Sequence, residues 1–153
     1  MNITLNMKLQ DQEFSLVINM TMNAGRIYRQ QFQRDLVKDL SELYEKFNPS
    51  IFENIDLKGI ETEGKTEEEI TNQIITKAFP IWAEAQKKII PSYEDIERTG
   101  QILWAFAKNA DDSLPGYEKW IDEFDYILPT KEIVTALFGA WNDSAKPTVE
   151  IKN

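Results

Sequence analysis

The sequence predicts an α+β fold in which an N-terminal β-hairpin packs on a mostly α-helical single domain. Apolar residues alternate over the first twenty positions, as in strands, and later recur every three or four positions, as in helices. The length of 153 residues suits one domain. We expect a globular domain over residues 1–141, with the hairpin at 2–20, helices from about residue 23 onward, and a flexible C-terminal tail over 142–153.

Two runs of alternating apolar residues predict the strands of the hairpin. The apolar positions are Ile3, Leu5, Met7 and Leu9 in the first run and Phe14, Leu16, Ile18 and Met20 in the second. The polar connection Asp11–Glu13 is short enough to favour antiparallel pairing. Because an isolated hairpin is only marginally stable, we expect its apolar face to lie against helices.

A regular apolar stripe predicts a helix from Thr21 or Asn23 to Phe47. Its members are spaced by 4, 4, 4, 3 and 4 residues: Tyr28, Phe32, Leu36, Leu40, Leu43 and Phe47. Thr21 and Asn23 are candidate N-caps, and Asn48 precedes a proline that disfavours further helix. A break between Gln33 and Asp35, with Asp35 capping a second helix, is an equally good interpretation.

The middle of the chain is predicted to be an acidic loop followed by a helix. Residues Glu53–Glu69 hold seven acidic residues against two lysines, together with two glycines, which is typical of a solvated loop. Thr66 and Glu69 form the pattern of a capping box that opens a helix. The apolar positions of this helix continue past Pro80, which is expected to kink or divide it.

Three further helices are predicted in the last third of the chain. The first begins at Pro91–Ser92 and has the widest apolar arc, so we expect it at the centre of the core. After a turn at Leu114–Gly116, a short helix carries Tyr117, Trp120, Ile121, Phe124 and Leu128. Thr130 is expected to cap the last helix.

The residue types present exclude most catalytic chemistry. The chain has no histidine and no cysteine, which excludes imidazole or thiolate zinc sites, cysteine nucleophiles and histidine triads. Its glycines are dispersed, so no phosphate-binding loop is present. Asp35 and Asp39, one turn apart, are interpreted as part of a solvated helix face. We therefore expect a non-enzymatic protein without a cofactor or a metal.

The overall charge also limits the partners. Lys and Arg number 17 against 26 Asp and Glu, a net charge of −9, which repels nucleic acid. The longest uncharged apolar run, Ile102–Ala107, is far shorter than the ~20 residues of a membrane span, and the N-terminus lacks the pattern of a signal peptide. We expect a cytoplasmic protein that binds neither nucleic acid nor membrane.

The first predicted helix is basic within this acidic chain. The basic residues Arg26, Arg29, Arg34 and Lys38 cluster there, either as a solvated face or as a docking face for an acidic partner or another copy of the chain. The four tryptophans are expected mainly in the core, with Trp141, beside the tail, as the best candidate for an exposed anchor. Arg26, Arg29, Arg34 and Trp141 are therefore the predicted partner-binding residues.

Three segments resemble a known family of phage proteins. They are Tyr28–Leu36 leading into Lys38–Leu40, then Ile102–Lys108, then Tyr117–Ile121. Together with the N-terminal hairpin, they resemble the tail assembly chaperones of long-tailed phages and prophages of Gram-positive bacteria. The resemblance extends from about Met1 to Trp141.

The resemblance implies a role in building the phage tail. Such a protein is made in the host cytoplasm, binds the tape measure protein, recruits tail tube subunits and is absent from the finished virion. The family often has a longer form produced by ribosomal frameshifting. Apart from the resemblance, the expected partners include another copy of the chain. The alternative, from another class, is an acidic regulatory or inhibitory protein that mimics the charge of nucleic acid, which the net charge of −9 suggests.

Overall fold

The computed structural model describes residues 2–9, 11–48, 58–125 and 127–145. The elements are β1 (Asn2–Leu9), β2 (Gln12–Asn19), α1 (Met22–Phe32), α2 (Leu36–Phe47), α3 (Glu67–Lys88), α4 (Tyr93–Ala110), α5 (Tyr117–Asp122) and α6 (Thr130–Ser144). This order confirms the α+β class and the N-terminal hairpin. The chain forms two compact units, the first comprising Met1–Tyr44 with Pro91–Asn153 and the second Glu45–Ile90.

The hairpin pairs its apolar residues with one another. β1 and β2 are antiparallel, and Ile3 lies opposite Ile18, Leu5 opposite Leu16, and Met7 opposite Phe14. One face therefore carries the apolar side chains, and the hairpin contacts α4 through β2. A slip of one residue would turn this face toward water, so the alternation in the sequence determines the register.

The chain breaks between α1 and α2, as the second interpretation of the sequence predicted. Gln33 takes a left-handed conformation with φ of 54°, and its N–H donates to the carbonyl of Arg29 at 2.8 Å. Asp35 then caps α2, because its Oδ1 accepts the N–H of Lys38 at 3.0 Å. A continuous helix to Phe47 is therefore wrong.

Helix α4 is the centre of the first unit, as predicted. Ser92 caps it through a reciprocal capping box with Asp95. All six residues from Ile102 to Ala107 are buried, and the helix contacts β2, α1, α5 and α6. Gly100 allows close approach, since a Cβ there would lie 3.1 Å from the Cδ1 atom of Ile121.

The C-terminal helices differ from the prediction at their ends. α5 ends at Asp122, so Phe124 and Leu128 lie beyond it. Pro129, not Thr130, is the N-cap of α6, and the buried Thr130 hydroxyl donates to the carbonyl of Leu128. Helix α6 reaches Ser144, so residues 142–144 are helical where a flexible tail was predicted. The rest of that predicted tail, from residue 146, lies outside the described residues.

The second unit is built around α3. Thr66 accepts the N–H of Glu69 through its hydroxyl at 3.2 Å, which confirms the predicted helix start. The side-chain amide of Gln73 accepts the N–H of Glu61 and donates to its carbonyl, both at 2.8 Å. These two hydrogen bonds hold the preceding loop against the helix. Pro80 lies inside α3 and does not divide it. Residues 53–57 of the predicted acidic loop lie outside the described residues.

Candidate partner-binding site

A buried carboxylate holds α1, α2 and the turn between them in place. Asp39, predicted to lie on a solvated face, is only 3% exposed, so that interpretation is wrong. The hydroxyl of Tyr28 donates to its Oδ2 at 2.6 Å, and the guanidinium of Arg34 donates to both carboxylate oxygens at 2.8 Å. Arg98 of α4 lies nearby, with its Nε 4.0 Å from Oδ2.

The surroundings of Asp39 keep its carboxylate charged. Burial opposes ionisation, but the hydrogen bonds from Arg34 and Tyr28 and the charges of Arg34 and Arg98 outweigh it, so the pKa of Asp39 lies below its usual value. Burial, followed by the hydrogen bond to Asp39, raises the pKa of Tyr28. Asp39 is therefore an ionised anchor for Tyr28 and Arg34 at neutral pH.

The four predicted partner-binding residues line one cavity, which we call the arginine groove. It has a volume of about 390 Å³ and lies among α1, the α1–α2 turn, α2 and α6. Its lining comprises Met22, Gly25, Arg26, Arg29, Arg34, Asp35, Leu36, Val37 and Trp141. Three guanidinium groups thus surround a surface that is largely apolar, with a single carboxylate among the lining residues.

The three arginines differ in how firmly they are held. Arg34 is fixed by its two hydrogen bonds to Asp39, which leave its side chain 44% exposed. Arg26 and Arg29 are exposed on α1, and neither forms an ion pair with another residue in the described part of the chain. The groove therefore combines the guanidinium group of Arg34, which is held in one orientation, with those of Arg26 and Arg29, which can reorient toward a partner.

The apolar part of the groove has one partly buried anchor, Trp141, and two exposed side chains, Met22 and Val37. The ring centroid of Trp141 lies 5.9 Å from that of Phe106, so this tryptophan is half-buried on the core. Met22 is 89% exposed at the rim. Sequence reasoning missed Met22, although an apolar residue directly after the N-cap and off the helical stripe was an available signal.

This arrangement can bind an amphipathic segment that carries acidic residues. Trp141 and Val37 offer apolar area, and the flexible side chain of Met22 can adapt to different apolar side chains of a partner. Arg26 and Arg29 can each pair with a carboxylate, most effectively in a bidentate geometry. Rim charges of this kind mainly set orientation and association rate, whereas the apolar area supplies affinity.

The loop between α4 and α5 is a turn held by a lysine. The ammonium group of Lys108 donates to the carbonyls of Asp112 and Leu114, and Asp111 accepts from both the N–H and the hydroxyl of Ser113. No cluster of three or more acidic residues suited to a metal ion occurs in the described part of the chain.

Comparison with known proteins identifies no relative. No protein-family model matches the chain, and neither a curated protein nor a solved structure shows significant similarity. Among the residues that the structure describes, no helix has both the length and the apolar character needed to cross a lipid bilayer. Inferences about function therefore depend on the residues of this chain and on the resemblance of its sequence motifs.

Proposed function

We propose that the protein is a phage tail assembly chaperone. In this role it binds the tape measure protein in the host cytoplasm and recruits tail tube subunits to it, without catalysing a reaction. The proposal combines the resemblance of Tyr28–Leu40, Ile102–Lys108 and Tyr117–Ile121 to that family with the chemistry of the arginine groove.

The arginine groove is the observation that supports this proposal most strongly. A chaperone of this type must cover apolar helices of its client before the tail tube encloses them. The groove presents apolar area from Trp141 and Met22 beside the cationic side chains of Arg26 and Arg29. These groups suit an amphipathic client helix with acidic residues along its flank.

The residue chemistry supports a non-enzymatic role. The chain lacks histidine and cysteine, which supply most general bases and nucleophiles. Its buried carboxylate at Asp39 is occupied by Tyr28 and Arg34, so it serves the packing of the helices. The net charge of −9 favours solubility at the high copy number that an assembly factor requires.

Co-purification with the tape measure protein tests the proposal. The client in this experiment is a tape measure protein, co-expressed with a tagged copy of this chain. We expect the parent chain to retain the client through affinity purification. The double variant Arg26→Glu, Arg29→Glu should retain at least about tenfold less, because both rim charges are reversed.

A matched control separates the site from the net charge. Lys65→Glu, Lys119→Glu changes the charge by the same amount at exposed positions outside the groove, and it should retain as much client as the parent. Trp141→Ala tests the apolar part of the groove, with thermal melting to verify its folding. If the parent does not retain the client, the chaperone proposal is wrong; if all variants retain it equally, only the site assignment is wrong.

A further inference from the structure

Helix α3 carries a stripe of exposed apolar side chains. Ile75 is 50% exposed, Phe79 is 61% exposed and Trp82 is 39% exposed. Trp82 was expected in the core, and that expectation is wrong. The three residues are spaced by four and three positions, so they share one face of the helix, and the rings of Phe79 and Trp82 lie 6.0 Å apart.

The charges of α3 are arranged with opposite signs at its two ends. Its first turn contains Glu67, Glu68 and Glu69, and the exposed Lys87 lies in its last turn. Glu69 and Lys87 are eighteen positions apart, which is five full turns at 3.6 residues per turn. They therefore lie on the same flank of the apolar stripe.

We propose that two copies of the chain pair through α3 in antiparallel orientation. In the symmetric pairing, Ile75 of one copy packs against Trp82 of the other, and the two Phe79 rings meet near the two-fold axis. The same register brings Glu69 of each copy beside Lys87 of the other, because equal flanks face each other in an antiparallel helix pair. A parallel pair would instead place like charges together.

The charge pattern is what identifies a second copy as the occupant of the stripe. An isologous interface must be self-complementary, so each group near one end needs its counterpart at the other end of the same surface. Ile75 and Trp82 satisfy this requirement around Phe79, and Glu69 and Lys87 satisfy it further out. The pairing is independent of the arginine groove, which uses residues of the first unit.

Sedimentation equilibrium of the parent and of charge variants tests the pairing. We expect the parent to be a dimer at micromolar concentration. Glu69→Lys or Lys87→Glu alone should raise the dimer dissociation constant about tenfold, because two equivalent ion pairs become repulsions. The double variant Glu69→Lys, Lys87→Glu should return it to within about threefold of the parent. Both positions are exposed, but Glu69 belongs to the capping sequence of α3, so far-UV circular dichroism and thermal melting verify that each variant is folded.

The absence of cysteine allows the orientation to be tested directly. In a mixture of Glu69→Cys and Lys87→Cys chains, oxidation should join the two variants, while each variant alone should form little disulfide. Phe79→Ser should abolish the dimer, and Arg26→Glu, Arg29→Glu should leave it intact. A monomeric parent, single charge reversals without effect, or efficient self-linking of Glu69→Cys would each overturn the proposal.

Discussion

Asp39 shows how a single side chain acquires a role that its neighbours in the sequence do not reveal. It lies between Leu36 and Leu40 on α2, at the edge of the apolar stripe, where a charged residue normally reaches solvent. Two of its three partners, Tyr28 and Arg34, are nearby in the chain, but Arg98 is on α4. Burial of the Asp39 carboxylate is favourable because the tertiary fold supplies these hydrogen-bond donors and positive charges.

We predict that Asp39→Asn lowers the free energy of unfolding by about 1 to 3 kcal/mol at pH 7, since an amide satisfies Arg34 poorly. The pKa of Asp39 is lowered by folding. Its stabilising effect is therefore complete above the unfolded-state pKa of about 3.9 and is lost as the pH falls through the folded-state pKa.

Urea unfolding at pH 7 and at successively lower pH measures this difference between parent and variant. The difference should shrink as the pH falls below about 4. Asp35→Asn is the matched control, because asparagine caps a helix as well as aspartate does and should change stability little. A difference that stays constant down to pH 2 would contradict an ionised, paired Asp39.

At the scale of single elements, local patterns predicted most of the fold. Alternation predicted the two antiparallel strands of the hairpin, although β2 begins at Gln12, inside the predicted connection, and Ser92 marked the start of α4. The sequence could not decide between one continuous helix and a break at Gln33. Phe32 and Leu36 are four positions apart, which is a helical spacing, so the apolar stripe looks the same on either interpretation. The left-handed glutamine that ends α1 has no strong sequence signal, since glycine or asparagine usually occupies that position.

The burial of α4 leads to a prediction about stability. Leu103 is completely buried, and Trp104 is nearly so, with its indole N–H donating to the carbonyl of Pro115 at 3.0 Å. Leu103→Ala and Trp104→Ala should each destabilise the protein by about 2 to 5 kcal/mol, through lost apolar burial and the cavity left behind.

The urea midpoints of both α4 variants provide the measurement, and Met22→Ala provides the control. Met22 is 89% exposed, so its removal should shift the stability by less than about 0.5 kcal/mol. Midpoints for Leu103→Ala and Trp104→Ala that match the parent would show that α4 is not the centre of the first unit.

At the scale of the whole molecule, the sequence suggested four partner-binding residues but could not predict how they are arranged. Arg26, Arg29, Arg34 and Trp141 line one groove, as a docking face requires. Their spacing alone could not reveal that Asp39 holds Arg34 or that Phe106 supports Trp141. Those contacts come from elements that are distant in the chain or from a turn with no strong signal.

Trp82 illustrates a second limit on what a sequence pattern can predict. Its helical spacing with Ile75 and Phe79 indicates a face that avoids water. The same spacing does not show whether this face packs against the rest of the chain or against a second copy. These side chains are exposed in the structure, and we propose that a second copy covers them.

The soluble fraction of the tape measure protein, measured in cells with and without this chain, is the most direct test of the proposed chaperone function. We expect the tape measure protein to be largely insoluble alone and soluble when the parent chain is co-expressed. With Arg26→Glu, Arg29→Glu it should be largely insoluble again, whereas Lys65→Glu, Lys119→Glu should behave like the parent. A soluble fraction that is the same with and without the parent chain would contradict the assignment.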